Sequence, residues 1–262
     1  SPRPSVAYTA AAPLSNTAQG IAFGDLPATE KLRPVGHAKI DLAIRWVTKQ
    51  PDGLYLQSRY GVLRLSPVGS DIIRISFSKS GQISEGVHPK IAITRPHRAW
   101  MYKDSAKTVD LLTDEICLQV DKAPGAIRYL TRDKKLLLAE RSKECRQVEI
   151  ISGNNTKSWL YLDWQKGENL YGLGSAAQMG MNLRGTARYI SHSGADAELP
   201  FLLSDKGYGI LIASNGPTLC CDIAAYGSYL YTEGVSQMDY YFIAGRKTAT
   251  ILSAYAYLCG KI

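Results

Sequence analysis

Short runs rich in Val, Ile, Leu and Tyr recur through most of this chain, each cut off after four to eight residues by Gly, Asp, Asn or Pro. Twelve stand out: Leu54 to Tyr60, Val62 to Ser66, Asp71 to Ser78, Val109 to Leu112, Ile116 to Val120, Ala126 to Leu130, Val148 to Ile151, Trp159 to Asp163, Leu199 to Ser204, Tyr208 to Ala213, Tyr226 to Thr232 and Met238 to Ile243. β-Branched and aromatic side chains suit a pleated surface, and the interruptions are too frequent for helices. Several runs alternate: Ile116, Leu118 and Val120 fall on one face while Cys117 and Gln119 fall on the other, as a half-buried strand requires. One stretch, Lys247 to Leu258, carries a helical repeat in Ile251, Tyr255 and Leu258, with Gly260 placed to stop it. Many short strands and one helix predict an all-β chain, an antiparallel β-sandwich with a C-terminal helix. Residues 1–38, proline-studded and without a period, read as a tail or wrapping segment, residues 39–245 as the sandwich and 246–262 as the helix.

The stretch Leu170 to Gly180, LYGLGSAAQMG, imitates a dinucleotide-binding turn. Gly172, Gly174 and Ala177 have the right spacing, and Asp196 lies where such folds hold a ribose hydroxyl. That motif works only between a buried strand and a helix whose N-terminus meets the pyrophosphate. Here the preceding residues, Trp164 to Asn169, are polar and turn-prone, and Gly180 and Gly185 would break a following helix. The glycines therefore read as turn and strand-packing positions.

Other chemistry is equally bounded. The net charge of +8 comes from scattered residues, the densest group being Arg128, Arg132, Lys134 and Lys135 with Asp133 among them, so a solvated basic surface is expected and no nucleic-acid partner. No run approaches a membrane span, and no membrane partner is expected. The five cysteines form no C-x-x-C pair, and His37, His88, His97 and His192 stand apart, so neither a metal site nor a cofactor is expected. No phosphate loop, H-E-x-x-H or G-x-S-x-G is present, and no local pattern nominates two of the 23 acids as a glycosidase pair. The odd cysteine count points to a reducing compartment, whereas the start at Ser1, the small Pro/Ala-rich first 20 residues and the sequon Asn154-Asn155-Thr156 point to export, so cytoplasmic and secreted locations both stay open.

Three segments in order carry a family resemblance: Glu168-Asn169-Leu170-Tyr171-Gly172-Leu173-Gly174, then Asn182-Leu183-Arg184-Gly185, then Pro200-Phe201-Leu202-Leu203-Ser204-Asp205-Lys206-Gly207-Tyr208-Gly209-Ile210-Leu211. They resemble E-x-x-Y-G-x-G, N-L-[RK]-G and P-F-x-x-S-x-[RK]-G-Y-G in the N-terminal domain of glycoside hydrolase family 31, the α-glucosidase and α-xylosidase family. Leu111 to Pro124 looks like that family's strand pair, followed by a hairpin at Asp133 to Leu137 in which lysine replaces the glycine. Asp239 to Gly245 and Leu258-Cys259-Gly260-Lys261 are similar to D-Y-Y-F-I-x-G and the closing L-T-G-K. The resemblance runs from about Ile40 to Lys261.

It implies a galactose-mutarotase-like β-sandwich that precedes a catalytic (β/α)8 barrel of the same parent chain. These 262 residues hold no counterpart of the barrel's catalytic carboxylates, so no catalytic residue is expected in them. The implied role is noncatalytic: to pack on the barrel of a retaining α-glycosidase and to lend a loop to the pocket for an α-linked oligosaccharide. That loop corresponds to Thr186 to Leu199, whose polar members His192, Ser193, Asp196 and Glu198 could bond sugar hydroxyls. The alternative at each of these positions is solvation of a turn at Ser193-Gly194. The Q-R-N-T-E pattern of α-xylosidase-like members is not kept there, so sugar preference does not transfer. A stand-alone carbohydrate-binding sandwich is the alternative function, and an active sugar mutarotase, which needs a His and Glu pair, a third.

Overall fold

The computed structural model describes residues 39–173, 182–190 and 198–261. Among them are eighteen strands and one helix, arranged as two antiparallel sheets. One sheet has eight strands, in the order β1 (Trp46–Gln50), β2 (Gly53–Gln57), β3 (Val62–Pro67), β4 (Ile72–Ser78), β18 (Met238–Ala244), β15 (Tyr208–Ile212), β14 (Phe201–Ser204) and β12 (Leu170–Gly172). The other has ten: β13 (Ala187–Ile190), β16 (Thr218–Ile223), β17 (Gly227–Val235), β11 (Asn155–Asp163), β9 (Leu136–Glu140), β8 (Ala126–Thr131), β7 (Ile116–Asp121), β6 (Thr108–Leu112) and β5 (Met101–Asp104), with β10 (Arg146–Ser152) paired to β11. The chain is an all-β sandwich, as its run-and-break pattern predicts.

Strand alternation builds the core. In β18, Tyr240 and Phe242 enter the space between the sheets, while Tyr241 and Ile243 face outward. Neighbouring strands keep the same parity, so Ile73, Ile75, Phe77, Ile210 and Leu202 join the inner layer with Leu118, Val120 and Leu160 of the opposite sheet. The outward row of the eight-stranded sheet is covered by α1 (Thr248–Leu258), which buries Ile251, Ala254 and Leu258 against Phe201, Leu211, Tyr241 and Ile243. Each such aliphatic side chain contributes about 1.5–3 kcal/mol when fully buried. The helix has no side-chain cap and no acid in its first turn, so packing rather than end chemistry holds it. Its end is well defined: Lys261 N–H donates to Ala256 O (2.8 Å) and Gly260 N–H to Tyr257 O (3.1 Å), with Gly260 at φ 67°. Ala254, not Tyr255, takes the middle buried position; Tyr255 is half-buried and stacks on Phe201 at 4.4 Å.

Every one of the twelve expected runs contains a strand, and six further strands appear. β1 and β5 are exposed edges whose partners come from one side, so nothing selects an alternating pattern in WVTKQ or MYKD. β9 reads LLLAE, without alternation, and β16 is masked by its cysteines. β12 has only three residues. β13 corrects the expected loop at Thr186 to Leu199: Ala187–Ile190 pairs with Cys221–Thr218, because Ala187 and Tyr189 pack with Leu219 and Cys221.

Two buried polar knots brace the layers. Glu140 of β9 accepts Ile127 N–H (2.9 Å) and Tyr129 O–H (2.6 Å) and pairs with Arg146, whose Nη1 donates to Gly125 O (2.8 Å); Tyr240 reaches the Tyr129 hydroxyl from the other sheet at 2.6 Å. Glu168 accepts the Ser204 hydroxyl (2.6 Å) and Gln165 N–H (2.8 Å), with the Tyr208 hydroxyl as a third donor. Both carboxylates are buried and fully engaged, which identifies them as structural rather than reactive groups.

Candidate functional site

Strand register defines two ends of the sandwich. Ile190 pairs with Thr218, and Phe201 with Leu211, so the β13–β14 connection leaves one sheet and enters the other at the end that also carries residues 213–217 and 236–237. The opposite end holds the turns at 205–207 and 224–226 and the residues around Arg184.

The segments of the family resemblance largely form that opposite, basal end. Arg184 donates from Nε to Asp222 Oδ2 (2.8 Å) and from Nη1 to the carbonyls of Gln165 and Glu168 (2.9 Å each), tying β16 of one sheet to the turn before β12 of the other. Asp222 also accepts Gly185 N–H (2.8 Å) and the Ser228 hydroxyl (2.7 Å). Burial pushes the Asp222 carboxyl up, but these donors and the Arg184 charge outweigh it and hold it below the ordinary aspartate value. Asn182 Oδ1 accepts Leu170 N–H (3.0 Å), and Leu183 N–H donates to Leu170 O (2.7 Å), which holds Asn182 and Leu183 against β12. At the far end of β12, Gly172 has φ 115° and lies so close to β14 that a Cβ would sit 2.1 Å from Phe201 O. Only glycine allows that approach, and it lets Leu173 N–H donate to the same carbonyl at 3.1 Å. β12 is thus an antiparallel strand on β14, not the parallel strand of a nucleotide-binding unit.

Of the sequence-expected pocket residues, His192, Ser193 and Asp196 lie outside the described residues, as do Gly174 and Ala177. Glu198 is described. Its carboxylate pairs with Lys261 Nζ at 2.6 Å, and the same ammonium donates to Tyr255 O–H at 3.0 Å. The hydrogen bond from Lys261 holds the Glu198 carboxyl below its usual range, and Glu198 keeps the Lys261 ammonium above its own. The side chains are 62% and 38% exposed, so this pair is weak in energy. Its value is positional: it places the start of β14 beside the exit of α1.

Thiol and metal chemistry find no support among the described residues. All five cysteines are free; burial pushes Cys145 and Cys221 up to about 12 and raises Cys220 further, far from nucleophilic values. No group of three or more His, Cys, Asp or Glu that could hold a metal ion is present among the described residues. Sequence reasoning did not single out Glu168, Arg184 and Asp222 as a network, because their contacts span up to 40 residues and depend on the closure of both sheets.

Comparison with known proteins agrees with this architecture. The family model described as the glycosyl hydrolase 31 N-terminal galactose mutarotase-like domain matches residues 62–219. A family 31 glucosidase of Pseudescherichia vulneris is 24% identical over 225 residues, covering 76% of this chain and 41% of the relative. An isomaltosyltransferase of Sporosarcina globispora is 24% identical over 220 residues, 76% of this chain and 19% of the relative. This chain therefore spans less than half the length of either. Among solved structures, a Flavobacterium johnsoniae family 31 dextranase, complexed with isomaltotriose, superposes with a TM-score of 0.68 at 18% identity, over 84% of this chain and 28% of its own. A soil-metagenome α-xylosidase complexed with xylose gives 0.67 at 19%, over 81% and 34%.

Proposed function

Because the chain belongs to the glycosyl hydrolase 31 N-terminal galactose mutarotase-like domain family, we propose that it is the noncatalytic sandwich of a retaining α-glycosidase of α-glucosidase or α-xylosidase type. In this reading it packs on a catalytic (β/α)8 barrel, and the connection between β13 and β14 forms one wall of the pocket for an α-linked oligosaccharide. His192, Ser193, Asp196 and Glu198 are the candidates for bonds to sugar hydroxyls there.

One observation carries the reading: Lys261, after the helix stop, is held 2.6 Å from Glu198, in the β13–β14 connection. A domain continuing from Lys261 would begin beside that connection, so the wall and the barrel mouth would share one end of the sandwich. Two of the sandwich's buried carboxylates, Glu140 and Glu168, are consumed by structural donors. A retaining mechanism needs two free carboxylates about 5–5.5 Å apart, and the barrel would supply both.

The test mixes this chain with a family 31 barrel expressed separately and follows release from aryl α-glucosides and α-xylosides. Neither piece alone should turn over, and the mixture should. Turnover by the 262-residue chain alone, or a mixture that binds but stays inactive, refutes the assignment.

A further inference from the structure

A cleft of about 550 Å³ opens at the same end of the sandwich, between the segment after β4, the 213–217 connection and the end of β17. Its chemistry is unusually uniform. Among the described residues no Lys or Arg lines it, although the chain carries 31 of them. Asp239 lines it too, with both of its oxygens held by Arg74, at 2.9 and 2.6 Å.

Two side-chain amides in this cleft are locked by bonds to their oxygen ends. His88 Nδ1 accepts Lys90 N–H at 3.0 Å, so Nε2 carries the ring proton and donates to Asn215 Oδ1 at 2.9 Å. Gln237, 7% exposed, accepts Ser84 N–H on Oε1 at 2.8 Å. Among the described residues nothing takes the NH2 group of either amide, and both residues line the cleft. A second depression of about 260 Å³ shares Ser84, Thr156 and Ser236 with the first and is bordered by Ile150, an exposed apolar side chain. Ile151, also exposed, borders the larger one.

We propose that this groove is a saccharide-binding site separate from the β13–β14 connection, in which the Asn215 and Gln237 amides donate to the hydroxyls of a neutral di- or trisaccharide. The chemistry selects this class. An anion would find no Lys or Arg among the described lining residues, a metal ion would find amide nitrogens and a carboxylate already held by Arg74, and an apolar ligand would strand the donors. A neutral polyol satisfies the donors, its C–H faces can rest on Ile150 and Ile151, and the two joined depressions suit more than one ring.

The test uses the full chain, titrated with maltotriose, isomaltotriose and xylobiose, with glycerol as control, and reads amide shifts by NMR. We expect saturable binding with Kd on the order of 1 mM, characteristic of a shallow polar site, with shifts confined to residues 84–88, 213–217 and 232–237. Asn215→Asp and Gln237→Glu keep the oxygens that His88 and Ser84 N–H use but replace each NH2 donor by a charged acceptor oxygen, so Asn215→Leu and Gln237→Met, which remove the donors without adding charge, are measured beside them. Each should weaken binding at least about fivefold, the value of one neutral hydrogen bond, and the unchanged dispersion of the spectrum would show that the fold is intact. Absence of saturable shifts, shifts confined to Glu198, Leu199 and Lys261, or variants that bind as tightly as the parent would each overturn the proposal. The readout needs no barrel, so its failure is distinct from a failure of complementation.

Discussion

Arg146→Met is expected to be among the most damaging single substitutions in the chain. Arg146 and Glu140 face each other with side chains 1% and 0% exposed, so removing the guanidinium leaves a carboxylate between the sheets with only neutral donors, Tyr129, Ile127 and, at 3.4 Å, Tyr240. Breaking a buried pair from one side costs about 3–5 kcal/mol, against a total stability of about 5–15 kcal/mol for a domain. With a urea slope of about 2–3 kcal/mol/M, the midpoint followed by tryptophan fluorescence should fall by about 1–2 M. Glu140→Gln should cost a similar amount, because it strands the cation instead, although the Gln oxygen still accepts Ile127 N–H. The double variant removes both charges and keeps that acceptor, so it should be more stable than either single one, a non-additivity of several kcal/mol. If the double variant is as damaged as the sum of the singles, the penalty is lost packing and not uncompensated charge, and the reasoning fails.

Lys134 adopts φ 73° in the β8–β9 turn, at the hairpin where the family pattern has glycine. Lys134→Gly should therefore raise stability by about 0.5–1 kcal/mol in the same urea assay, less whatever its part-buried contact to Asp110 contributes. Gly172→Ala places a methyl against Phe201 O at a φ few L-residues adopt; it should destabilise by about 2 kcal/mol or more, and in the complemented enzyme it should lower turnover by displacing β14. Asp222 has a depressed folded pKa, so its contribution is present above the unfolded value, about 3.9, and is lost as pH falls through the folded one. Asp222→Asn should flatten the melting temperature against pH below about pH 4, with little change in slope above pH 5. Thiol titration at pH 8 should find Cys145, Cys220 and Cys221 inert in the native state and half-buried Cys259 the more reactive, with all five reacting in denaturant.

The fold was legible because burial on one face of a strand imposes a period of two, and strands such as β7, flanked on both sides, write that period in the sequence. It fails where the constraint is absent. β1 pairs on one side only and exposes Trp46, so its composition answers to solvent. β4 loses its alternation for the opposite reason: Ile73, Ile75 and Phe77 face the core, Ile72 joins the layer beneath α1, and Arg74 and Ser76 are bonded to Asp239, so the whole strand is buried. The helix was legible from three apolar positions, but the identity of its middle buried residue depended on where Phe201 lay across a gap of 50 residues.

The motifs and the candidate sites were legible to different degrees for a related reason. Glu168, Asn182, Arg184 and Gly185 are recognisable in order because they form a foundation: each satisfies backbone groups or a buried partner at the basal end, and geometry leaves few residue types for such roles. The surfaces that would meet sugar stand at the other end, where a connection need only present donors and acceptors, which many sequences can do. Asn215 and Gln237 carry no motif. They become a pair only when His88 and Ser84 N–H, 127 and 153 residues away, take the oxygen end of each amide and turn the nitrogen outward. A binding site of this kind is specified by long-range closure of the sandwich, so it is found by following each polar group to its partner and asking which protons are left over.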